Sequence, residues 1–292
     1  SPPPSHRCQQ MQPPPLPPRA RRHRRARRAC RVARRHLRHA LLGVGDREPA
    51  RAEVGGGRLA ARRRLAASRL CRLDLRWCEL LLAPNMDAGK LDALASDLDG
   101  HDGCIRTVCA IPDSEAAAAT IVDTAVSAHG TLDIMFVATG LNDVGYIEEQ
   151  PYENWRAVMH ANLDGYWLAC QAAGRHFAER PADRGRAKVA VVSSTRGRHG
   201  LPAGYTSYCA SKSGLDGMVR ALACEWGAKG ANINAIGPTV FRSPLTTWMF
   251  SDEEPGKSTR KGMLERIPVG RLSDTDDLMG GLIYLLSPAS DY

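Results

Sequence analysis

The first 76 residues contain no lysine and no aromatic side chain, although they hold 21 arginines. Only four acidic residues offset these arginines, so this segment carries a net charge of +17; residues 77–292, with 19 basic and 27 acidic residues, carry −8. A segment without aromatic residues and with charge of one sign cannot bury enough apolar surface to offset the entropy lost on ordering. We therefore predict that residues 1–40 form a disordered, Pro- and Arg-rich extension.

Four interpretations of this arginine-rich segment stay open. It could be a basic arm for nucleic acid, an organelle-targeting peptide, a solvated tail without function, or a misread stretch of the gene such as a frameshift. The complete absence of lysine and aromatic residues favours the misread gene. A nucleic-acid-binding protein is the least favoured of the functional alternatives.

Other absences narrow the class of protein. No apolar run is long enough to span a membrane. The nine cysteines include no C-x-x-C pair, and their number is odd, which favours free thiols in a reducing compartment over a disulfide framework. We therefore expect a cytoplasmic protein with no membrane association and no metal site.

What the chain does contain is a Tyr and a Lys four residues apart, Tyr208 and Lys212. On a helix this spacing puts both side chains on one face. Tyrosine titrates near pH 10, and a neighbouring ammonium lowers that pKa by favouring the phenolate. The pair therefore suits proton transfer, although the spacing alone is more often surface packing.

The surroundings of the pair make proton transfer the better interpretation. Residues 188–194 are typical of a short buried strand that ends in Ser193 and Ser194. A glycine-rich loop follows and leads into the helix of Tyr208, so a strand-end hydroxyl can face the phenol. Asn162 lies in a predicted helix over 151–180, and residues 232–238 indicate another strand with its exit loop.

On these residues the chain, from about Asn85 to Tyr292, resembles the short-chain dehydrogenase/reductase family. The resemblance implies an α/β fold, a doubly wound parallel sheet of Rossmann type with helices on both faces. It implies one domain over 41–292, in which 41–76 match poorly and 77–292 match well. The family's catalytic set would fall on Asn162, Ser194, Tyr208 and Lys212, with Ser193 as the substitute for Ser194.

The chain departs from the family pattern in its dinucleotide site. The turn Thr-Gly-x-x-x-Gly-x-Gly is missing, and both asparagines of Asn-Asn-Ala-Gly are replaced in Val137-Ala138-Thr139-Gly140. The family's last strand also has no counterpart. The resemblance then assigns cofactor binding to Gly55, Gly57, Asn85, Ala138, Gly140, Tyr208, Lys212, Pro238 and Ser243. Nothing in the sequence decides between NAD and NADP.

The activity implied is that of an NAD(P)-dependent oxidoreductase that interconverts a secondary alcohol and a ketone by hydride transfer. Tyr208 would be the acid/base, Lys212 would lower its pKa and bind the nicotinamide ribose, and Ser194 would hydrogen-bond the substrate oxygen. Asn162 would hold a helix kink and complete a proton relay. The rival hypothesis is an inactive relative that binds no dinucleotide, because several cofactor positions are altered together.

The substrate class follows from a finer resemblance. Glu225-Trp226 and residues 239–244 look like the gluconate 5-dehydrogenase and 2-deoxygluconate 3-dehydrogenase branch, which implies a sugar acid, a polyol or a 3-oxoacyl-type substrate. Arg242 or Arg198 could bind a carboxylate, although exposed arginines are more often simply solvated. Residues 245–266 resemble the family's substrate lid. The resemblance also implies a homodimer or homotetramer, formed through the helices around 151–180 and 205–228.

Overall fold

The computed structural model describes residues 79–82, 105–108, 110–243 and 245–292. The predicted extension over 1–40, the candidate phosphate-binding glycines Gly55 and Gly57, and Asn85 all lie outside these residues.

All strands of the described chain are paired in parallel. Two of them, β1 (Glu79–Leu82) and β2 (Ile105–Val108), form one pair. The other three, β3 (Ile134–Val137), β4 (Ala187–Val192) and β5 (Ala231–Ile236), form a sheet in the order β3-β4-β5. Parallel neighbours require crossover connections, and those from β3 to β4 and from β4 to β5 are helical, so the predicted α/β class is confirmed. In the described part of the chain no strand follows β5.

Helices connect and cover these strands. Their bounds are α1 (Glu115–His129), α2 (Tyr152–Met159), α3 (Gly165–Glu179), α4 (Thr206–Gly227), α5 (Gly256–Leu264) and α6 (Thr275–Leu285). Local sequence explains where they start and stop. For example, the alanine-rich α1 begins at Ser114, whose hydroxyl accepts the N–H of Ala117 at 3.2 Å, and ends at Gly130 in the left-handed region.

Strand β4 is the centre of the core, because all six of its residues are buried. Its alternate side chains serve two different clusters. Val189 and Val191 pack with α1, α3 and α4, whereas Ala190 and Val192 pack with α6. Since side chains of a strand alternate between faces, helices cover both faces of the sheet, as the predicted doubly wound architecture requires.

The helical stretch predicted over 151–180 is not one continuous α-helix. A π-helical turn, His160–Asp164, separates α2 from α3, and Asn162 lies inside it. A π turn inserts an extra residue into the helical ladder and occurs often at functional sites. Here it directs the amide of Asn162 toward Leu141, in the chain that follows β3.

The last described residues close the amino end of β4. Lys188 is buried within the strand, and its Nζ lies 2.7 Å from Asp291 Oδ1 and 3.3 Å from Ser290 Oγ. On the neighbouring strand, Asn232 Nδ2 donates to the backbone oxygen of Ser290 at 3.1 Å. A charged lysine inside a sheet is costly unless paired, so these contacts supply the pairing that its position demands.

The loop that leads into α4 depends on a glycine. Gly204 has φ of +71°, and its carbonyl oxygen accepts the N–H of Gly145 at 3.0 Å. A Cβ at this position would lie 2.7 Å from the carbonyl carbon of Gly145. The loop before α4 can therefore pack against the chain beyond β3 only while residue 204 has no side chain.

We expect Gly204→Ala to lower the free energy of unfolding by about 1–3 kcal/mol more than Gly230→Ala, as measured by urea denaturation. Gly230 is the matched control, since its φ of +79° imposes the same backbone strain, while a Cβ there would meet no atom within 4 Å. Equal losses in the two variants would mean that the close approach to Gly145 contributes nothing.

Candidate active site

A cleft lies at the carboxyl ends of β3, β4 and β5, where parallel α/β sheets bind their ligands. The described residues predicted to bind cofactor all line it, as do the strand-end serines: Ala138, Gly140, Ser193, Ser194, Tyr208, Lys212, Pro238 and Ser243. Residues separated by more than a hundred positions in sequence are thus brought together by the parallel topology.

Ser194 is held in position by backbone hydrogen bonds on both sides. Ser193 N–H donates to the carbonyl of Ile236 at 2.8 Å, and Thr195 N–H donates to the carbonyl of Pro238 at 3.1 Å. These bonds continue the pairing of β4 and β5 beyond the ends of the strands. The hydroxyl oxygen of Ser194 accepts the N–H of Arg196 at 3.1 Å, which leaves its own hydrogen free to rotate toward a ligand.

Tyr208 faces Ser194 across the cleft. Burial raises the pKa of the phenol above its ordinary value, and the nearby Ser194 hydroxyl and the charge of Arg196 offset only part of that rise. Burial is thus the largest influence on this phenol, and the lowering of its pKa expected from Lys212 stays a prediction. Spacing along a helix predicts which residues share a face, whereas desolvation depends on everything that packs around them.

Lys212 is almost completely buried, with 2% of its surface exposed. Its Nζ donates to the carbonyl oxygen of Val192 at 2.8 Å and lies 5.0 Å from the ring centroid of Tyr166 and 5.8 Å from that of Tyr208. Burial lowers the pKa of the ammonium to about 8, against the opposing charge of Asp216. The lysine is thus held by a carbonyl dipole and aromatic faces, without a carboxylate in direct contact among the described residues.

The two strand-end serines differ in what occupies their hydroxyls. Ser193 is 3% exposed, and its hydroxyl donates to Asp216 Oδ1 at 2.6 Å. Because that hydrogen is already used, Ser193 has less to offer a substrate than Ser194. The geometry therefore favours Ser194, the first of the two alternatives that the sequence left open.

Asn162 is fully buried and joins three segments of chain. Its Oδ1 accepts the N–H of Leu141 at 2.7 Å, while its Nδ2 donates to the carbonyl of Leu141 at 2.8 Å and to Ser211 Oγ at 3.1 Å. Both amide hydrogens and the amide oxygen are therefore in use. Asn162 does not line the cleft, and it reaches the helix of Lys212 only through Ser211.

Tyr166 belongs to the site although the sequence did not single it out. Its side chain is fully buried, and its hydroxyl lies 2.5 Å from the carbonyl oxygen of Thr139 and 3.2 Å from that of Val192. It therefore joins the ends of β3 and β4, the region where the family's two asparagines are absent. Its position four residues after Asn162, one helical turn away, was the available signal.

The cleft also contains buried polar atoms that lack a partner among the described residues. Thr139 Oγ1 and Asn142 Oδ1 are the two such atoms that lie in cleft-lining residues. Unpaired buried polar atoms are rare because they forgo hydrogen bonds with water. Beside Gly140, Tyr208 and Lys212, they fit the polar carboxamide and ribose end of a nicotinamide dinucleotide.

The arginines predicted to bind a carboxylate lie elsewhere. The side chain of Arg198 is 78% exposed and lies 4.0 Å from Asp216, and Arg242 stacks at 4.1 Å on the ring of Phe250. Neither lines the cleft. The basic residues that do line it, besides Lys212, include Arg196, His199 and Arg266. These three lie in segments without a periodic pattern, so the sequence offered no signal that would have found them.

Metal-ligating side chains do not gather anywhere in the described residues, which contain no cluster of three or more arranged to hold a metal ion. Among the helices of the same residues, none combines the length and the apolar character that a membrane crossing needs.

Comparison with known proteins supports the same assignment as the site. A family model described as enoyl-(acyl carrier protein) reductase matches residues 78–292. An uncharacterized oxidoreductase from Mycobacterium tuberculosis is 46% identical over 193 residues, which are 66% of this chain and 70% of the relative. A 2-dehydro-3-deoxy-D-gluconate 5-dehydrogenase from Escherichia coli is 34% identical over 172 residues, 59% of this chain and 65% of the relative. The predicted likeness to gluconate dehydrogenases is thereby confirmed.

A solved structure agrees with the fold. A Sinorhizobium meliloti protein, assigned provisionally as a short-chain alcohol dehydrogenase, superposes with a TM-score of 0.64 at 27% sequence identity. The superposition covers 72% of this chain and 80% of the other.

The lowered pKa of Lys212 makes a prediction about stability. Between about pH 8 and pH 10.5 the Lys212 amine is protonated in the unfolded chain but not in the folded chain. Burial of Lys212 therefore lowers the free energy of unfolding most below pH 8, and this loss becomes smaller as the pH rises. Relative to Lys212→Met, the wild type should therefore gain about 2–3 kcal/mol of unfolding free energy between pH 7 and pH 10, measured by urea denaturation. Parallel stability curves for the two proteins would contradict a depressed pKa.

Proposed function

The chain belongs to the short-chain dehydrogenase/reductase family, a family of oxidoreductases that generally use NAD or NADP, and on that premise we propose that it interconverts a secondary alcohol and a ketone. The observation that carries the proposal is that Ser194 and Tyr208 line the same cleft at the strand ends, close enough for the serine hydroxyl to act on the pKa of the phenol. Two hydroxyls that share one site can bind one substrate oxygen and exchange a proton with it.

NAD or NADP would supply the hydride acceptor or donor. The residues that would hold its nicotinamide end are Ala138, Gly140, Lys212, Pro238 and Ser243, which line the cleft together. The unpaired Thr139 Oγ1 and Asn142 Oδ1 support this assignment, since a ligand with amide and hydroxyl groups satisfies them.

Proton transfer falls to Tyr208. Because burial raises its pKa, the phenol holds its proton near neutral pH and is ready to donate it to a carbonyl oxygen during reduction. In the oxidation direction the same oxygen takes the hydroxyl proton, and the charge of Arg196 favours the phenolate that this step needs.

Three other residues position the reacting groups. Ser194 would donate a hydrogen bond to the substrate oxygen and stabilise the charge that develops there. Lys212 would bind the ribose next to the nicotinamide through its ammonium, which is mostly charged at pH 7 with a pKa of about 8. Asn162 would fix the π turn relative to two other segments, the chain that follows β3 and helix α4. This role is structural and involves no chemical step.

The substrate proposed is a sugar acid, with a polyol or a 3-oxoacyl compound as alternatives. The E. coli relative acts, by its description, on 2-dehydro-3-deoxy-D-gluconate, which supports an acidic sugar. The roof of the cleft contains Leu245, Trp248 and Met249, from the segment that the sequence predicted as a lid. Apolar side chains at this point suit the carbon skeleton of a small substrate and exclude water.

We also propose that the enzyme is a homodimer or homotetramer that associates through α2, α3 and α4. Two large side chains support this assignment, since Tyr152 on α2 is 66% exposed and Trp167 on α3 is 49% exposed. Aromatic side chains are enriched at the buried centres of protein interfaces. Cytoplasmic localisation is part of the same proposal, and the free thiols of Cys170, Cys209 and Cys224 support it.

Tyr208→Phe should lower kcat by at least about a hundredfold, because the variant keeps the ring and loses the proton that the reaction exchanges. Turnover is measured with sugar acids and polyols and with both NAD and NADP, while circular dichroism and thermal unfolding verify the fold. Tyr284→Phe is the control, since Tyr284 is 48% exposed on α6 and lies outside the cleft. Retained activity in Tyr208→Phe would refute the assignment.

Cofactor binding separates an enzyme from an inactive relative. We expect NADH or NADPH to quench tryptophan fluorescence in a saturable way, because Trp248 lines the cleft. The control Tyr284→Phe should bind the dinucleotide as the wild type does, since Tyr284 lies outside the cleft. If neither dinucleotide quenches the fluorescence of the wild type, the result would support the inactive alternative. The replacement of the two strand-end asparagines favours that alternative.

A further inference from the structure

The charged side chains around the cleft are distributed unevenly. The lining includes two arginines, Arg196 and Arg266, and the charge of Arg196 acts on Tyr208. The one acidic residue in the lining is Asp113, which lies between β2 and α1. A site lined by cationic groups, with no carboxylate in the lining beside the reacting phenol, attracts an anion.

Arg196 stands out among these residues because its guanidinium is only partly occupied. One nitrogen, Nη1, donates to the carbonyl of Gly200 at 3.2 Å. No carboxylate pairs with Arg196 among the described residues, although the neighbouring Arg198 lies beside Asp216. A half-buried guanidinium with free donors at the wall of a cleft suits a planar, bidentate anion.

The position of Arg196 is fixed relative to the reacting groups. It lies two residues after Ser194, and its backbone N–H donates to the hydroxyl oxygen of that serine at 3.1 Å. Its charge also acts directly on Tyr208. An anion held by Arg196 would therefore share the cleft with the substrate oxygen that contacts Ser194 and Tyr208.

We propose that Arg196 binds a carboxylate of the substrate, so that the site selects hydroxy acids and keto acids over neutral alcohols of the same size. This inference rests on the proposed function and adds the residue that recognises the acid. Arg266, which lines the same cleft, adds to its positive potential. Arg196 thus replaces Arg198 and Arg242 as the carboxylate-binding residue.

The test compares Arg196→Met with Arg198→Met. Arg198 is the matched control, since it is two residues away in the same loop and its side chain is 78% exposed outside the cleft. Substrates are aldonic acids of four to six carbons and the neutral alditols of the same chain lengths. We expect Arg196→Met to raise KM for the acids about 10- to 100-fold and to leave KM for the alditols within about twofold.

Two kinetic results would overturn the inference. One is an equal effect of Arg196→Met on acids and alditols, or no effect on either. The other is a wild type that turns over the alditols as efficiently as the acids. If Arg196→Met does not fold, Arg196→Lys takes its place, because it keeps the charge and loses the bidentate fork, and an intermediate rise in KM for the acids is expected.

A binding measurement separates this inference from the proposed function. Isothermal titration of the same acids into the Tyr208→Phe protein with NADH present measures affinity without turnover. Arg196→Met is then added to the Tyr208→Phe protein. If it weakens the binding of the acids about 10- to 100-fold, the inference is supported even if the wild type is inactive. Failure of every acid to bind would overturn it, even if the protein oxidised neutral alcohols.

Discussion

The carbonyl oxygen of Val192, the last residue of β4, is the contact on which the site depends most. It accepts a hydrogen bond from Lys212 Nζ at 2.8 Å and lies 3.2 Å from the hydroxyl of Tyr166. The same hydroxyl reaches Thr139 at the end of β3. One backbone dipole therefore fixes a buried ammonium in place and connects two strand ends, and no carboxylate is needed close to the reacting phenol.

A second support of the site is the buried amide of Asn162, outside the cleft lining. The π turn presents Asn162 to Leu141 and Ser211, and these contacts satisfy its amide completely. Polar groups that hold the frame are thus buried and paired, as buried polar groups must be to avoid a desolvation cost. The groups proposed to react, Ser194 and Tyr208, are the ones left facing the cleft.

Much of this arrangement could be predicted from the sequence, because it rests on local patterns. Buried runs and strand-end serines located β4, and helical spacing placed Tyr208 and Lys212 on one face of α4. The missed features depend on contacts between distant parts of the chain. The partner of Tyr166 at Val192 is 26 residues away, and the raised pKa of Tyr208 arises from burial that no spacing encodes. The candidate phosphate-binding glycines, Gly55 and Gly57, lie outside the described residues, so their role stays a prediction.

The pairing of Lys188 with the last described residues has a consequence for biosynthesis. Lys188 and Ser290 are 102 positions apart, and Asp291 follows directly. During translation the central strand therefore leaves the ribosome long before the groups that neutralise its lysine. Burial of this lysine within the sheet is therefore compensated only after the last described residues have been made, which ties completion of the core to the end of the described chain.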